Sequence, residues 1–124
     1  MIVLKEFTFD SAHQLMNYSG GKCEDLHGHT YKLQVFVKGK MQEDGLLLDF
    51  DILKSLVKQH VLNVLDHKYL NDIIKQPSAE NISIWIWKKL ADKLPLPLYE
   101  VRVWETPTQA AICQGDKEEL NQSI

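Results

Sequence analysis

Cysteine is scarce in this chain: among 124 residues only Cys23 and Cys113 occur, one in a polar, Gly-rich stretch and the other in an apolar run. Two thiols in such different settings make no disulfide framework, so each must be read by itself. Long apolar runs are missing too. Leu46-Leu47-Leu48 and the other short runs fall far below the roughly 20 residues that a bilayer-spanning helix needs. The opening Met1-Ile2-Val3-Leu4-Lys5-Glu6 has neither the h-region length nor the small-residue cleavage site of a secretory signal, which leaves the cytoplasm as the expected location. Nor is positive charge in excess. With 14 basic against 17 acidic residues the formal charge is -3, and no nucleic-acid partner is expected, because that needs a clustered basic surface. What remains, 44% hydrophobic and 25% charged residues, is the balance of a folded chain rather than a disordered one. The length suits one domain over residues 1–124.

The apolar pattern sorts this domain into strands and helices. Alternation over residues 3–13 puts Phe7, Phe9, Ser11 and His13 on one side of a strand. Residues 14–26, with Asn17, Ser19, Gly20 and Gly21, read as a loop. Alternation then returns over residues 27–38, with His27, His29, Tyr31, Leu33, Val35 and Val37 on one face. Spacings of three and four from Leu53 through Leu56, Val57, Val61, Val64 and Leu65 predict an amphipathic helix over residues 51–65, with Asp51 as its N-cap. A second helix is expected after Pro77, capped by Ser78, with Ile82, Trp85, Ile86 and Leu90 on its apolar stripe, and it stops at Pro95 and Pro97. Trp87 falls off that stripe, where it would meet another subunit. Tyr99, Val101, Val103 and Glu105 alternate in a further strand, and residues 110–113 make a last one. Two strands, two helices and two strands give an α+β fold, an antiparallel sheet with both helices on one face. Residues 115–124 are mostly polar and are expected to fray.

Three histidines stand out within this frame. A His-x-His on a strand sets two imidazoles on one face about 6 to 7 Å apart, close enough to share an ion. Gly28 between them leaves room for close backbone approach, and His13 ends the neighbouring strand on the corresponding face. Three neutral imidazoles with no adjacent fourth ligand match a catalytic zinc site, which keeps one position open. Cys23 has two readings: a general base whose thiol is acidified by a nearby ion, or a fourth ligand that closes a structural site. Asp66-His67 follows the first helix, either as a carboxylate-oriented proton-transfer pair or as a solvated helix end. Glu105 ends a strand, either as a surface charge or as an acceptor of two parallel hydrogen bonds from an amidine-like ring edge. His60 and Cys113 are assigned no role.

These residues stand in a longer series: Phe9-Asp10-Ser11-Ala12-His13, Cys23-Glu24-Asp25-Leu26-His27-Gly28-His29, Leu48-Asp49-Phe50, Leu65-Asp66-His67, Pro77-Ser78-Ala79-Glu80-Asn81 and Trp104-Glu105-Thr106. In order and spacing the series resembles the 6-pyruvoyltetrahydropterin synthase and 6-carboxytetrahydropterin synthase family, over residues 3–114. The resemblance implies a tunnelling fold (ββααββ) that assembles as a homohexamer, a dimer of trimers with active sites at subunit interfaces. It implies zinc on His13, His27 and His29, Cys23 as proton acceptor, Asp66 and His67 as its relay, and Glu105 as anchor of the pterin ring. The implied enzyme is a lyase on 7,8-dihydroneopterin triphosphate, with zinc as Lewis acid toward the side-chain hydroxyls.

Ser78 stands where the family often has Thr, which keeps the hydroxyl cap. Members with Glu in place of the thiol look like side-chain-cleaving enzymes of folate synthesis, so Cys23 matters. The compact length and short segment 14–22 resemble the 6-carboxy enzymes of queuosine (7-deazaguanine) biosynthesis more than the 6-pyruvoyl synthases. A non-catalytic zinc- and pterin-binding protein is the alternative from another class.

Overall fold

The computed structural model describes residues 1–16 and 26–124, so Cys23 and the choice between its two roles lie outside the described residues. Strand β1 (Ile2–His13) pairs antiparallel with β2 (His27–Lys38) along their whole length, from Ile2 opposite Lys38 to His13 opposite His27. The alternation read from the sequence holds. Phe7, Phe9, Ser11 and His13 of β1 and Tyr31, Leu33, Val35 and Val37 of β2 are buried, because successive side chains on a strand point to opposite faces.

The first helical stretch runs as α1 (Phe50–Val57), a π-helical segment (Lys58–Leu62) and a final turn, α2 (Asn63–Leu65). Its buried residues, Leu53, Val57, Val61 and Leu65, recur every fourth position. At 3.6 residues per turn such a spacing drifts by about 40° per step, and the wider π turn takes up that drift. Val64, expected on the stripe, is therefore left exposed. The cap is Asp49 rather than Asp51: Asp49 has extended backbone angles and its carboxylate accepts from the Asp51 amide, which places Asp51 inside the first turn.

Helix α3 (Ala79–Leu90) is capped by Ser78, whose hydroxyl accepts from the Asn81 amide at 3.1 Å. It buries Ile82, Ile86 and Leu90 against the sheet, and Trp85 and Trp87 pack at the rim of the same core.

Strand β4 (Leu98–Thr106) pairs antiparallel with β2, and β5 (Gln109–Cys113) with β4. A bulge at Phe36/Val37 sets Val37 opposite Leu98 and Phe36 opposite Glu100, so Leu98 is buried and Tyr99, which the alternation grouped with Val101 and Val103, points out. Between the helices a two-residue strand, β3 (Lys68–Tyr69), joins β1 in parallel, opposite Ser11 and Ala12. The sheet order is β3-β1-β2-β4-β5: the expected α+β tunnelling fold, corrected by one short parallel edge.

The C-terminal segment does not fray as expected. Asp116 caps a short helix, α4 (Lys117–Leu120), and Ile124 packs against the core. Gly115, at φ +80°, lies on the indole of Trp87, where an added Cβ would come within 2.4 Å of the ring. Trp87 is thus covered by its own chain. Among the described residues no helix is long and apolar enough to cross a membrane.

Candidate functional site

At the end of the β1–β2 ladder, past the stacked rings of Phe9 and Tyr31, the core gives way to three imidazoles. His13 and His27 face each other across the ladder, and His29 lies two residues along β2. Their ring centroids form a triangle with sides of 4.6, 4.6 and 5.1 Å.

His13 is fully buried. Its Nδ1 lies 2.8 Å from the Pro77 carbonyl and 3.0 Å from the Tyr31 hydroxyl. A carbonyl oxygen only accepts, so Nδ1 carries the proton and Nε2 presents its lone pair inward. That Nε2 is 3.1 Å from His27 Nε2 and 3.5 Å from a Glu105 carboxylate oxygen, and the same oxygen is 3.1 Å from His29 Nε2.

These separations suit a shared ion. Ligands about 2.0 to 2.1 Å from a tetrahedral metal stand about 3.3 Å apart. Burial pushes the His13 and His29 imidazoles below their ordinary pKa of 6.5, more than Glu105 raises them, and a neutral ring is the form that binds metal. Among the described residues His29 Nε2 is buried and aligned with no hydrogen-bond partner, despite the nearby carboxylate. An orphaned buried nitrogen costs stability unless something binds it. His13, His27, His29 and Glu105 could together hold a metal ion, and nitrogen with carboxylate donors suits zinc. The Tyr31 hydroxyl is pushed far above its ordinary range by burial and then by Glu105, so it stays protonated beside the group.

Gly28 was expected to allow close backbone approach, yet a Cβ there would meet the Ser11 carbonyl at an ordinary 3.8 Å. Among the described residues nothing requires a glycine at that position.

Asp66 and His67 form a second cluster. Asp66 Oδ2 lies 3.0 Å from His67 Nδ1, and the side chain of His67 is 78% exposed. The Asp10 amide donates to Asp66 Oδ1 at 2.9 Å, and the His67 amide to the Asp10 carbonyl at 2.6 Å. The Asp10 amide and then His67 hold the Asp66 carboxyl below its ordinary range. His67 has φ +57°, a left-handed conformation that few non-glycine residues adopt. An open cleft of about 600 Å³ at this corner is lined by Asp10, Ser11, Ala12, Gly28, His29, Thr30, His67, Lys68 and Tyr69. Asp10, Ala12, Gly28 and Thr30 alternate along their strands with Ser11, His13, His27 and His29, so four of the lining residues belong to the face opposite the three imidazoles, while Ser11 and His29 border the cleft from the imidazole face.

Of the residues expected in the site, the structure brings together His13, His27, His29 and Glu105, and separately Asp66 with His67. Glu105 was read as a ring anchor and stands within the imidazole group. The Pro77 carbonyl and Tyr31 hydroxyl that orient His13 were not foreseen; only the place of Tyr31 on the His27–His29 face hinted at them. His60 takes no part, and Cys113 is buried in β5 with its thiol pKa raised by burial.

Fold and site together define a tunnelling-fold protein with strand-borne histidines placed to hold a metal. The family model described as 6-pyruvoyl tetrahydropterin synthase matches residues 2–116, and the chain belongs to that family. It is 42% identical over 117 residues to a 6-carboxy-5,6,7,8-tetrahydropterin synthase of Synechocystis sp., covering 89% of this chain and 90% of that protein. It is 35% identical to the Haemophilus influenzae protein of the same name, covering 86% of this chain and 93% of that protein. The solved 6-pyruvoyl tetrahydropterin synthase of Caenorhabditis elegans superposes with a TM-score of 0.84 at 27% identity, covering 94% of this chain and 96% of that one.

Proposed function

We propose that this protein is a zinc-dependent 6-carboxy-5,6,7,8-tetrahydropterin synthase of queuosine biosynthesis. It converts 7,8-dihydroneopterin triphosphate to 6-carboxytetrahydropterin, acetaldehyde and triphosphate. The observation that carries the reading is the convergence of His13, His27 and His29 Nε2 beside Glu105, in a chain whose relatives bear that enzyme's name.

In this reading His13, His27 and His29 hold the ion, which supplies Lewis acidity that makes the substrate's side-chain hydroxyls easier to deprotonate. Glu105, whose carboxylate stands within the group, accepts from the ring edge of the pterin. Cys23 accepts the substrate proton, and the Asp66–His67 pair passes it on, with Asp66 fixing the imidazole through Nδ1. In the homohexamer that the family resemblance implies, the pair serves the thiol of a neighbouring chain, and Cys23 and His67 of one chain need not meet.

The second reading is the 6-pyruvoyl synthase, favoured by the family model and by the C. elegans structure. Zinc-loaded protein incubated with 7,8-dihydroneopterin triphosphate, followed by mass spectrometry, separates the two. The expected products are 6-carboxytetrahydropterin and acetaldehyde, lost in Cys23→Ala. A pyruvoyl pterin would establish the second reading. Zinc binding without turnover would favour a non-catalytic pterin-binding protein, in which Cys23 serves as a fourth ligand.

A further inference from the structure

Four consecutive residues at the corner after α2 are each tied to one of two neighbours on β1. The Ser11 hydroxyl donates to the Leu65 carbonyl. The Asp10 amide donates to Asp66 Oδ1 at 2.9 Å, and the His67 amide to the Asp10 carbonyl at 2.6 Å. The Lys68 amide donates to Ser11 Oγ at 3.5 Å.

Two of these ties use backbone atoms of Asp10, and substitution of that residue leaves them in place. Both ties of Ser11 run through its side chain. Ser11 is buried, and the carbonyl it meets ends a helix, where no intrahelical donor remains. Its hydroxyl thus holds both sides of a dipeptide whose second residue has left-handed backbone angles and whose imidazole is largely exposed. With so little packing on the ring, the direction of His67 follows from the backbone of the corner and from its 3.0 Å contact with Asp66.

We infer that Ser11 is a positioning residue of the proton relay: its hydroxyl fixes the Leu65–Lys68 corner, and through it the Asp66–His67 pair. The inference rests on the proposed role of that pair. Ser11 lies on the imidazole face, directly across the ladder from His29, so an action on its own chain's metal group is the rival explanation that the test must separate.

The expected result for Ser11→Ala is a kcat lowered roughly tenfold to a hundredfold, the range that a small misplacement of a reacting group produces. KM and bound zinc should stay within about twofold, since neither depends on the corner. Ser11→Thr keeps the hydroxyl and should restore kcat.

Mixed assemblies discriminate further. Cys23→Ala chains have an intact corner and no thiol, whereas Ser11→Ala chains have a thiol and a loosened corner. Refolded together in equal amounts, they should regain activity at roughly a quarter of the sites, by random pairing of the two chains. If Ser11 acts on its own chain's metal group, no site in the mixture has both parts intact and activity stays low. That outcome, or an equal loss in Ser11→Thr, overturns the inference. His67→Ala mixed with Cys23→Ala is the control. If that mixture fails to recover, the shared-site reading itself is wrong; if it recovers and the Ser11→Ala mixture does not, only the inference about Ser11 falls.

Discussion

His13 is buried with its Nδ1 on the Pro77 carbonyl, and burial is the largest influence on its protonation, as it is for His29. Both imidazoles bind a proton less readily in the folded chain than at the ordinary pKa of 6.5. The unfolded state therefore holds more protons below pH 6.5, and stability falls with pH there. The contribution is full above 6.5 and is lost as pH falls from 6.5 through the folded-state values. Asp66, whose carboxyl is also lowered, acts only further down, below 3.8. Metal-stripped protein should accordingly show a lower urea midpoint at pH 5.5 than at pH 7.5, and added zinc should raise the midpoint more at pH 7.5, where neutral rings are available to bind it. Equal midpoints at the two pH values would mean that the imidazoles are not held neutral by the fold.

Elements in this fold are made by patterns of different strength, and that strength decided what could be read in advance. The twelve-residue strands β1 and β2 show sustained alternation, so their extents and the shared face of His13, His27 and His29 were legible. Ser78 was legible as a cap because a hydroxyl precedes an apolar helical stripe. Strand β3 has two residues and no period, and the bulge opposite Leu98–Glu100 depends on the partner strand; neither leaves a mark in the local sequence. The same holds for the Pro77 carbonyl and the ties of Ser11, which are contacts between segments more than 50 positions apart.

The C-terminal segment shows how a polar composition misleads. Its order comes from the Asp116 cap, the packing of Ile124 and a glycine that lets the backbone lie on Trp87. Gly115→Ala adds a methyl group where the indole already stands, at a φ that alanine resists. It should lower stability by more than about 1 kcal/mol in denaturant unfolding. A loss of a few tenths would show that the segment carries little of the fold.

Across the whole molecule the imidazole group and the Asp66–His67 pair form two separate clusters, and the helix-free face presents exposed Ile2, Leu4 and Ile112. Exposed apolar side chains on a sheet face are what a subunit contact would cover. Their exposure in a single chain accords with the proposed assembly, in which one chain's relay meets another's metal and thiol. Such an arrangement ties activity to association and leaves metal binding to the single chain, since His13, His27, His29 and Glu105 all come from within it. Dilution should then lower turnover per chain steeply once assemblies dissociate, while zinc stays bound in proportion to protein. The two curves, activity and zinc content, should separate at the concentration where light scattering reports loss of the oligomer. Turnover per chain that stays constant through dissociation would place a complete site within one chain, and the relay would then have to be sought among residues on the imidazole face.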